Sequence, residues 1–473
     1  MVATTATALL AFAVVALALP QQHAFDADLA NSPPSYIQET GGIDRYDGHE
    51  VWRINWSSLS NTSRSALHNV LETAGDVWKA TPEVIDVHLP PRVAAVLPSL
   101  IPKDAQATKI VPDLQALVNL SLAHPVPGLP GAYAPQSPLA DPPTDFPDGG
   151  WNVSTLDTVF HDAFQPLPAI DRFLDALVNE YPETLHTFEF GQSAEGRPLR
   201  AFSAHRADGK ADAPEVLIIS GQHAREWVGP ASAIYFLHAL LVNLRENPKG
   251  TAAKVLREFT VTVVPTLNPD GLVYSREHSR MWRKNRQDVG GLICKGVDLN
   301  TNWGYEYKPS RLACSESYSG QHPFEAPETA AMANYIVNGA KDAPRNRMPR
   351  AFIDLHSYGQ LFMFPYSFSC NVFPPDAENL MEAGMGVAKA IRLIGGPGYQ
   401  TGQACQSTLR FSGDASDYAY AVGQIRWSYS AELRDTGTYG FMLPPFLIRP
   451  TGIDVVAGLS ALALFIYDTE IEP

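Results

Sequence analysis

The sequence predicts an α/β fold, in which a mixed, mostly parallel, twisted sheet carries helices on both faces and follows a small α+β domain. Beyond residue 150, short apolar runs alternate with amphipathic helix-like segments, the pattern of strands and helices that alternate along a chain. A dense run of Pro and Gly from His124 to Gly150 separates this part from the preceding residues. At 473 residues, the chain is also too long for one simple core.

Residues 1–18 are expected to form a secretory signal peptide. The uncharged apolar run from Leu9 to Leu19 is too short to span a bilayer and ends in small residues. A buried amino-terminal helix is the alternative. No other uncharged run reaches about 18 apolar residues, so we expect no membrane association and a protein that is secreted or, alternatively, vacuolar.

The overall composition indicates which kinds of binding partner are not expected. With 45% hydrophobic and 18% charged residues, the chain has the composition of a globular protein. Its 35 basic and 50 acidic residues give a formal net charge of -15. This charge argues against nucleic acid or an anionic membrane as a partner.

The chain has four cysteines, all in its second half, and an exported protein is expected to hold them as two disulfides. Proximity in sequence favours Cys294 with Cys314 and Cys370 with Cys405. A zinc site built from the four is the alternative, but the sequence has no C-x-x-C pair. N-glycosylation triplets, which fit an exported protein, occur at four positions: Asn55, Asn61, Asn119 and Asn152.

Residues 40–105 are predicted to form the small α+β domain. Strand-like stretches begin at Tyr46 and Glu83, with a helical pattern from Ser63 to Trp78 between them. Residues 106–150 are predicted to be a Pro-rich linker, whose Pro- and Gly-dense part lacks apolar periodicity.

Residues 151–473 are predicted to form the larger α/β domain. Its strands are expected at Leu185–Glu189, Val216–Ile219, Phe259–Val264, Ala351–Leu355 and Ser428–Leu433. Its helices are expected at Leu156–Tyr181, Glu226–Arg245, Ala326–Ala340, Ala377–Ile394 and Thr451–Tyr467.

Three residues of this domain are candidate zinc ligands. His223 and Glu226 are three positions apart, directly after the strand Val216–Ile219, and this spacing can aim both side chains at one point. His356 follows another apolar run, and the ends of such strands converge on one crevice of an open α/β sheet. The alternatives are a chance His-x-x-Glu and a hydrogen-bonded core histidine.

Glu432 ends a further apolar-leaning strand and is a candidate general base. A hydrolytic zinc site needs a group that accepts the proton of the attacking water and returns it to the leaving group. The alternative is a structural ion pair between Glu432 and a basic side chain such as Arg434.

Five segments together resemble the carboxypeptidase A family of zinc metallocarboxypeptidases. In chain order they read HAREW, SRMWRKNR, GVDLNTNW, FIDLHSY and ELRDTGTYGF. The resemblance covers about Leu156 to Tyr467 and implies a carboxypeptidase-like fold with a catalytic domain at residues 151–473. The stretch from Tyr46 to Leu100 resembles the family's propeptide, which implies a zymogen.

The resemblance implies a role for each matching residue. One zinc per chain is held by His223, Glu226 and His356, and Glu432 acts as the general base. Arg283 polarises the scissile carbonyl and holds the oxyanion, a task that needs a fixed positive charge. Asp298 orients the first zinc histidine. The remaining matches are implied to bind substrate: Arg225 and Tyr358 in outer subsites, Phe441 as an apolar wall, Asn300 beside the terminal carboxylate, and Ser416 as the neutral base of the specificity pocket, which favours neither basic nor acidic side chains.

Two positions depart from the family pattern. Thr301 replaces the arginine that clamps the terminal carboxylate of the substrate, which forfeits a charged hydrogen bond of about 1.5–3 kcal/mol. Leu409 replaces the tyrosine that closes over the substrate and cannot hydrogen-bond. Arg410, next to it, can replace part of the lost positive charge.

Two functions follow. The first is a secreted, monomeric zinc carboxypeptidase that removes residues from the C-termini of peptides or proteins, with impaired carboxylate recognition. The alternative is a zinc-binding protein of weak or no activity, similar to the fungal inactive metallocarboxypeptidases linked to cell-wall organisation. That group has lost the general-base glutamate, whereas Glu432 is present here.

Overall fold

The computed structural model describes residues 43–470 apart from 127, 128, 130, 138, 139, 207, 210–212, 291–293, 311 and 340–348. The predicted signal peptide, residues 1–18, lies outside the described residues. The chain divides into two compact units, one up to Gln115 and one from Ala116 onwards.

The first unit is a four-stranded antiparallel sheet with two helices. Its strands, in the spatial order β2-β3-β1-β4, are β1 (Glu50–Asn55), β2 (Asp76–Ala80), β3 (Val84–Leu89) and β4 (Gln106–Val111). Its helices are α1 (Asn61–Ala74) and α2 (Pro91–Leu100). Helix α1 begins where the Ser60 hydroxyl accepts the Ser63 N–H, which satisfies one of the free donors of its first turn.

The structured part of the chain extends into the predicted linker, residues 106–150. Strand β4 pairs with β1, and helix α3 (Leu114–Ser121) follows it. These residues form a strand and a helix because they carry apolar side chains that become buried: Val111, Leu114 and Val118. The density of Pro rises only beyond them. A short antiparallel pair, β5 (Ala123–Pro125) and β6 (Tyr133–Pro135), lies within the Pro-rich part. The predicted linker is therefore too long at its amino-terminal end.

The second unit is built on a mixed eight-stranded sheet in the order β13-β12-β14-β11-β9-β10-β8-β7. At its centre β14, β11, β9 and β10 are mutually parallel, while β7, β8 and β12 pair antiparallel with a neighbour. The strands are β7 (Leu185–Gln192), β8 (Pro198–Ala204), β9 (Glu215–Ser220), β10 (Thr260–Val264), β11 (Pro349–His356), β12 (Leu361–Phe364), β13 (Gln400–Gln403) and β14 (Trp427–Glu432).

Helices cover both faces of this sheet, as predicted. They are α4 (Leu167–Glu180), α5 (Val228–Glu246), α6 (Thr251–Glu258), α7 (Pro269–Glu277), α8 (Pro327–Asn338), α9 (Ala377–Leu393), α10 (Ala404–Ser407), α11 (Ala415–Ala421) and α12 (Ile448–Glu470). Helix α5 packs on β9, β10 and β11, while α8 packs on β7 and α11 on β11 and β14. The central strands are buried on both faces: β9 is apolar at residues 216–219, and β10 combines buried valines with buried threonines.

The carboxyl-terminal segment Pro445–Glu470 is long and apolar enough to cross a membrane by length and composition alone. Its most apolar 18-residue window has a mean hydropathy of 1.6, and 61% of that window is buried. Helix α12, which makes up most of the segment, packs against α5 and α9. This burial is typical of the core helix of a folded domain.

The predicted elements are present, with shifted ends and with omissions. The helix predicted from Glu226 begins at Val228, so Glu226 lies in the loop before it. In the second unit, strands β8, β12 and β13 and helices α6, α7, α10 and α11 were not predicted, and the helix predicted from Leu156 begins at Leu167. Before this helix, strands β4, β5 and β6 and helices α2 and α3 were not predicted. The helix predicted from Ser63 to Trp78 ends at Ala74, because strand β2 begins at Asp76. The two missed strands at one edge of the sheet, β12 and β13, have four residues each, which is too short for a periodic signal.

Both predicted disulfides are formed. Cys294 pairs with Cys314 across a Cα–Cα distance of 5.0 Å, and Cys370 pairs with Cys405 across 5.4 Å. Both distances fall within the usual range for the bond.

Candidate metal centre

The site lies where three neighbouring parallel strands end. Strand β11 ends at His356 and β14 at Glu432, and these two residues are opposite each other in the register of the pair. Leu355 of β11 lies opposite Ser220, the last residue of β9. Carboxyl ends of adjacent parallel strands form the crevice where α/β proteins bind ligands, as the sequence predicted.

A sharp turn after β9 brings the first two candidate ligands to this crevice. Gly221 has a φ of +69°, and a Cβ at this position would approach Pro230 to 3.2 Å and the Thr266 backbone to 3.3 Å. Only glycine fits this combination of backbone angle and close packing. The turn leads into the loop that carries His223 and Glu226, before α5 begins.

His223, Glu226 and His356 converge on one point. One oxygen of Glu226 lies 2.8 Å from His223 Nδ1 and the other lies 3.0 Å from His356 Nδ1, while the two Nδ1 atoms are 3.1 Å apart. All three side chains are buried, and one ligand atom from each lies within 4.8 Å of the others.

This donor set fits zinc. Two imidazole nitrogens and a carboxylate are three of the four ligands of a hydrolytic zinc site, which leaves one position for water. The two Nδ1 atoms face each other and a shared carboxylate, and a cation between them explains that arrangement better than a hydrogen bond, which needs a donor and an acceptor.

The outer nitrogen of each imidazole lies against a carboxylate. His223 Nε2 is 3.0 Å from Asp298 Oδ1, as predicted, and His356 Nε2 is 2.7 Å from Asp354 Oδ2. With Nε2–H donating to these carboxylates, each Nδ1 lone pair is directed to the shared point. Asp354 was not predicted as a site residue, although its position was informative. Residues two apart in a strand point to the same face, and Asp354 interrupts an apolar run two residues before His356.

Neighbouring positive charges keep two carboxyl groups of the centre, Glu226 and Asp298, ionised. Burial raises the pKa of Glu226, but the charges of His223 and His356 in their protonated form, together with their hydrogen bonds, outweigh burial and hold that pKa well below its ordinary value. Burial likewise raises the pKa of Asp298, and the Arg283 guanidinium and His223 overcome this and hold it below its ordinary value. Both carboxylates are therefore ionised at neutral pH.

Arg283 stands beside the three candidate ligands. Its Nε and Nη2 atoms are each 3.1 Å from Asp298 Oδ2, and its Nη1 is 3.9 Å from Glu226 Oε1. Burial lowers the pKa of Arg283, but the charges of Asp298 and Glu226 outweigh burial and raise this pKa above its ordinary value. The guanidinium is therefore always protonated. With 21% of its side chain exposed, Arg283 is a fixed positive charge that borders both the centre and solvent.

Glu432 is half-buried at the end of β14, on the strand next to His356. Gly359 lies close to it, since a Cβ at this glycine would approach Glu432 Cβ to 3.2 Å. Arg434, the partner in the alternative structural interpretation, pairs with Asp454 at 2.6 Å.

Asn300 and Thr301 lie on the far side of His356. Asn300 is buried, its Oδ1 accepts the N–H of Ala415 at 2.9 Å, and its Nδ2 is 3.3 Å from His356 Nε2. Thr301 is half-buried and donates its hydroxyl to the carbonyl of Asp298 at 3.0 Å. The arginine clamp of the family therefore has no cationic substitute at position 301.

Arg225, Tyr358 and Phe441 form one packed group. The Arg225 guanidinium lies 4.3 Å from the Phe441 ring centroid, and Tyr358 meets the same ring edge-on at 5.1 Å. All three are buried, with Arg225 at 0% exposure. The structure thus brings these predicted substrate-binding residues together, but as a cation–π wall that solvent does not reach.

Ser416, the predicted base of the specificity pocket, lies beside a buried carboxyl group. Ser416 is buried and donates its hydroxyl to Asp414 Oδ2 at 2.5 Å. The expectation that Ser416 favours neither basic nor acidic side chains did not include this carboxylate. Asp414 lies two residues before Ser416 and was not among the predicted site residues.

A His–Glu–His donor set at strand ends, with a carboxylate behind each imidazole and a cation and a further carboxylate beside it, defines a mononuclear metallohydrolase-type centre. The comparison with known families agrees with this class. The profile of the peptidase M14 family, described as zinc carboxypeptidase, matches residues 170–458, and the chain belongs to this family.

Curated relatives and solved structures similar to the chain carry two kinds of name. The chain is 34% identical over 415 residues to an inactive metallocarboxypeptidase ecm14 of Talaromyces marneffei, covering 83% of this chain and 68% of the relative. It is 33% identical over 471 residues to the protein of the same name from Talaromyces stipitatus, covering 91% and 77%. Carboxypeptidase A from Helicoverpa armigera superposes with a TM-score of 0.73 at 25% identity, covering 90% of this chain and 99% of that structure.

Proposed function

We propose that this protein is a zinc carboxypeptidase that hydrolyses the terminal peptide bond at the C-termini of peptides or proteins. The observation that supports the proposal is the register of β11 and β14, which sets Glu432 opposite His356, one of the three candidate ligands that converge on one point. Metal ligands, a proton acceptor and a fixed cation are all within one crevice, which is what hydrolysis of an amide needs.

Each of these residues has a defined task. His223, Glu226 and His356 would hold one zinc per chain, which supplies a Lewis acid for the attacking water and the scissile carbonyl. Glu432 accepts the proton of the attacking water and returns it to the leaving amine. Arg283 holds the negative charge that develops on the carbonyl oxygen, and Asp298 orients His223.

Recognition of the terminal carboxylate is the weak part of the site. Thr301 and Leu409 supply neither the positive charge nor the hydroxyl that the family uses to hold this group. A charged hydrogen bond contributes about 1.5–3 kcal/mol, so its loss lowers binding by about ten- to a hundredfold. Because the clamp also positions the scissile bond, kcat falls with it.

A second function is a zinc-dependent binding protein without peptidase activity, acting in cell-wall organisation. The relatives that are named inactive metallocarboxypeptidases favour it, as do Thr301 and Leu409. The presence of Glu432 favours the enzyme, because a binding protein has no use for a proton acceptor beside the candidate metal ligands.

We further propose that the protein is exported as a monomeric, glycosylated zymogen. The apolar leader, the two disulfides and the four glycosylation triplets support export. The triplet asparagines Asn55, Asn61 and Asn119 are exposed, and Asn152 is half-buried. The first unit would be the propeptide.

The test combines metal analysis with peptide hydrolysis. Purified protein should contain about one zinc per chain and release terminal residues from a panel of peptides that differ only in the last residue. Glu432→Gln should keep the zinc and lose hydrolysis, whereas Glu277→Gln, an exposed substitution of the same chemistry, should change neither. A zinc-loaded wild type that hydrolyses no peptide of the panel contradicts the enzyme and leaves the binding function.

A further inference from the structure

A fully buried glutamine adjoins the candidate metal centre and has no task in the proposed chemistry. Gln222 follows the sharp turn at Gly221 and directly precedes the candidate ligand His223. Its side chain is 0% exposed, and its backbone carbonyl accepts from Asn268 Nδ2 at 3.0 Å. A buried amide side chain must find its hydrogen-bond partners within the protein, because an unpaired one is costly.

Three side chains satisfy the amide of Gln222 and fix its orientation. The indole N–H of Trp303 donates to Gln222 Oε1 at 3.1 Å. Because an indole nitrogen is a donor only, the amide oxygen has to face Trp303, and the Nε2 group faces the other way. Nε2 carries two hydrogens, and it donates to Asp354 Oδ2 at 2.5 Å and to Asn300 Oδ1 at 3.1 Å. All the hydrogens of this amide are therefore used.

One of these hydrogen bonds supports the metal centre. Asp354 Oδ2 also accepts from His356 Nε2 at 2.7 Å, and Asp354 Oδ1 has no hydrogen-bond partner among the described residues. The carboxylate behind the other imidazole, Asp298, is held by the Arg283 guanidinium, whereas no lysine or arginine in the described part of the chain pairs with Asp354. Gln222 takes that place. Without it, the carboxylate is free to turn, and the imidazole that it orients loses its direction.

The other hydrogen bond fixes the residue expected beside the terminal carboxylate of a substrate. Asn300 Oδ1 accepts from Gln222 Nε2 at 3.1 Å and from the N–H of Ala415 at 2.9 Å. Two donors on one side identify this atom as the oxygen, so Asn300 Nδ2 lies on the other side, 3.3 Å from His356 Nε2. An N–H donor at this position can hold a carboxylate, whereas a flipped amide would turn an oxygen to it and repel it.

We propose that Gln222 is a positioning residue that couples the metal centre to the substrate site. With one N–H it holds the Asp354 carboxylate behind His356, and with the other it holds the amide of Asn300. One buried side chain thus sets the direction of a candidate metal ligand and of a group that meets the substrate. The inference rests on the proposed function for its substrate half, whereas its metal half needs no hydrolysis.

The metal half is tested with Gln222→Leu, which nearly keeps the size of the side chain and removes its hydrogen-bonding groups. Gln165→Leu is the matched control, because Gln165 is also buried in the second unit but donates to the carbonyl of Phe160 at 2.7 Å. Both variants should lose stability, so stability does not distinguish them. Only Gln222→Leu should raise the zinc dissociation constant, by about tenfold, and alter the visible spectrum of the cobalt-substituted protein.

The substrate half is tested with two peptides that differ only in a free or an amidated terminal carboxyl group. They are titrated by calorimetry into zinc-loaded Glu432→Gln, with and without Gln222→Leu. The second substitution should weaken binding of the free-acid peptide by about tenfold, the lower end for a hydrogen bond to a charged group, and leave binding of the amidated peptide nearly unchanged. In the active enzyme, the same loss should appear as a higher KM. If Gln222→Leu does not fold, Trp303→Phe removes the donor that orients the amide and should shift both affinities in the same direction.

The outcomes are distinct for the two proposals. Unchanged zinc affinity and cobalt spectrum in the folded variant overturn the inference and leave the peptidase intact, as does an equal loss of zinc affinity in Gln165→Leu. Weaker zinc binding together with unchanged binding of the free-acid peptide overturns the coupling between the two sites. Weaker zinc binding by Gln222→Leu in a protein whose wild type hydrolyses no peptide supports the role of Gln222 at the metal centre and overturns the enzyme.

Discussion

Replacement of Asp354 by asparagine tests whether the second imidazole of the centre depends on its carboxylate. Asp354 is 0% exposed and accepts from His356 Nε2 at 2.7 Å and from Gln222 Nε2 at 2.5 Å. The Asp354→Asn side chain is isosteric and keeps one acceptor oxygen, so the change removes the charge and little else. The imidazole of His356 then becomes a weaker electron donor and a less firmly oriented ligand.

The expected effect is a loss of zinc affinity of ten- to a hundredfold, which is about 1.4–2.7 kcal/mol. Competition with a chromophoric chelator measures the zinc dissociation constant, and the visible spectrum of the cobalt-substituted protein reports ligand geometry. Asp298→Asn should have an effect of similar size through His223, while Asp208→Asn, at an exposed surface pair with Arg206, should have none. Unchanged zinc affinity in a folded Asp354→Asn protein would refute the reasoning.

Three further predictions concern stability and processing. Burial lowers the pKa of His238 to about 4, so the folded state holds this imidazole neutral while the unfolded chain takes up a proton below about pH 6.5. The free energy of unfolding should therefore fall by about 3 kcal/mol as pH falls from 6.5 to 4. Urea titrations at several pH values measure this fall, which should be smaller in His238→Gln. Removal of the Cys370–Cys405 bridge, which closes 35 residues, should cost about 4 kcal/mol in the same assay, and a cost under about 1 kcal/mol would contradict the loop-entropy account. Trypsin should not release an active second unit, because the sequence has no Lys or Arg between Lys109 and Arg172; an active fragment that begins between residues 115 and 151 would disprove this.

The central strands and the three candidate ligands were predictable because local sequence determines them. β9 and β11 are buried on both faces and carry apolar runs at residues 216–219 and 351–353, whereas β14 alternates serine with Trp, Tyr and Ala. In each strand, a polar residue at the end marks the crevice. The pairing of each histidine with a carboxylate is partly local as well. Asp354 was within reach of a period-two argument from His356, whereas the contact of His223 with Asp298 spans 75 residues and came only from the family resemblance.

The surroundings of Asp414 could not be predicted from the sequence. Its environment is set by Ser367, which lies 47 residues earlier in the loop after β12, and by the packing of Gly413 on Thr301. Neither contact has a periodic or spacing signal, because both depend on how the loops at the end of the sheet fold back over it. The same holds for Arg225, whose burial against Phe441 no local pattern indicates.

The contact between positions 301 and 413 has a consequence for any attempt to rebuild the clamp. Gly413 packs on the Thr301 carbonyl and precedes Asp414, whose Oδ1 has no partner among the described residues. We therefore expect an arginine introduced as Thr301→Arg to be drawn to this carboxyl group. The new cation would then be held by the protein and be less available to the substrate. Thr301→Arg alone should therefore raise kcat/KM on a Leu-ending peptide by less than about tenfold, short of the full charged hydrogen bond.

Asp414→Asn in the same chain should release that arginine. The double variant Thr301→Arg/Asp414→Asn should exceed the product of the two single effects by about five- to thirtyfold on the Leu-ending peptide, a coupling of about 1–2 kcal/mol. A peptide with an amidated terminus should show no such coupling, since it offers no carboxylate to the arginine. Additive effects on kcat/KM would mean that the two side chains do not meet.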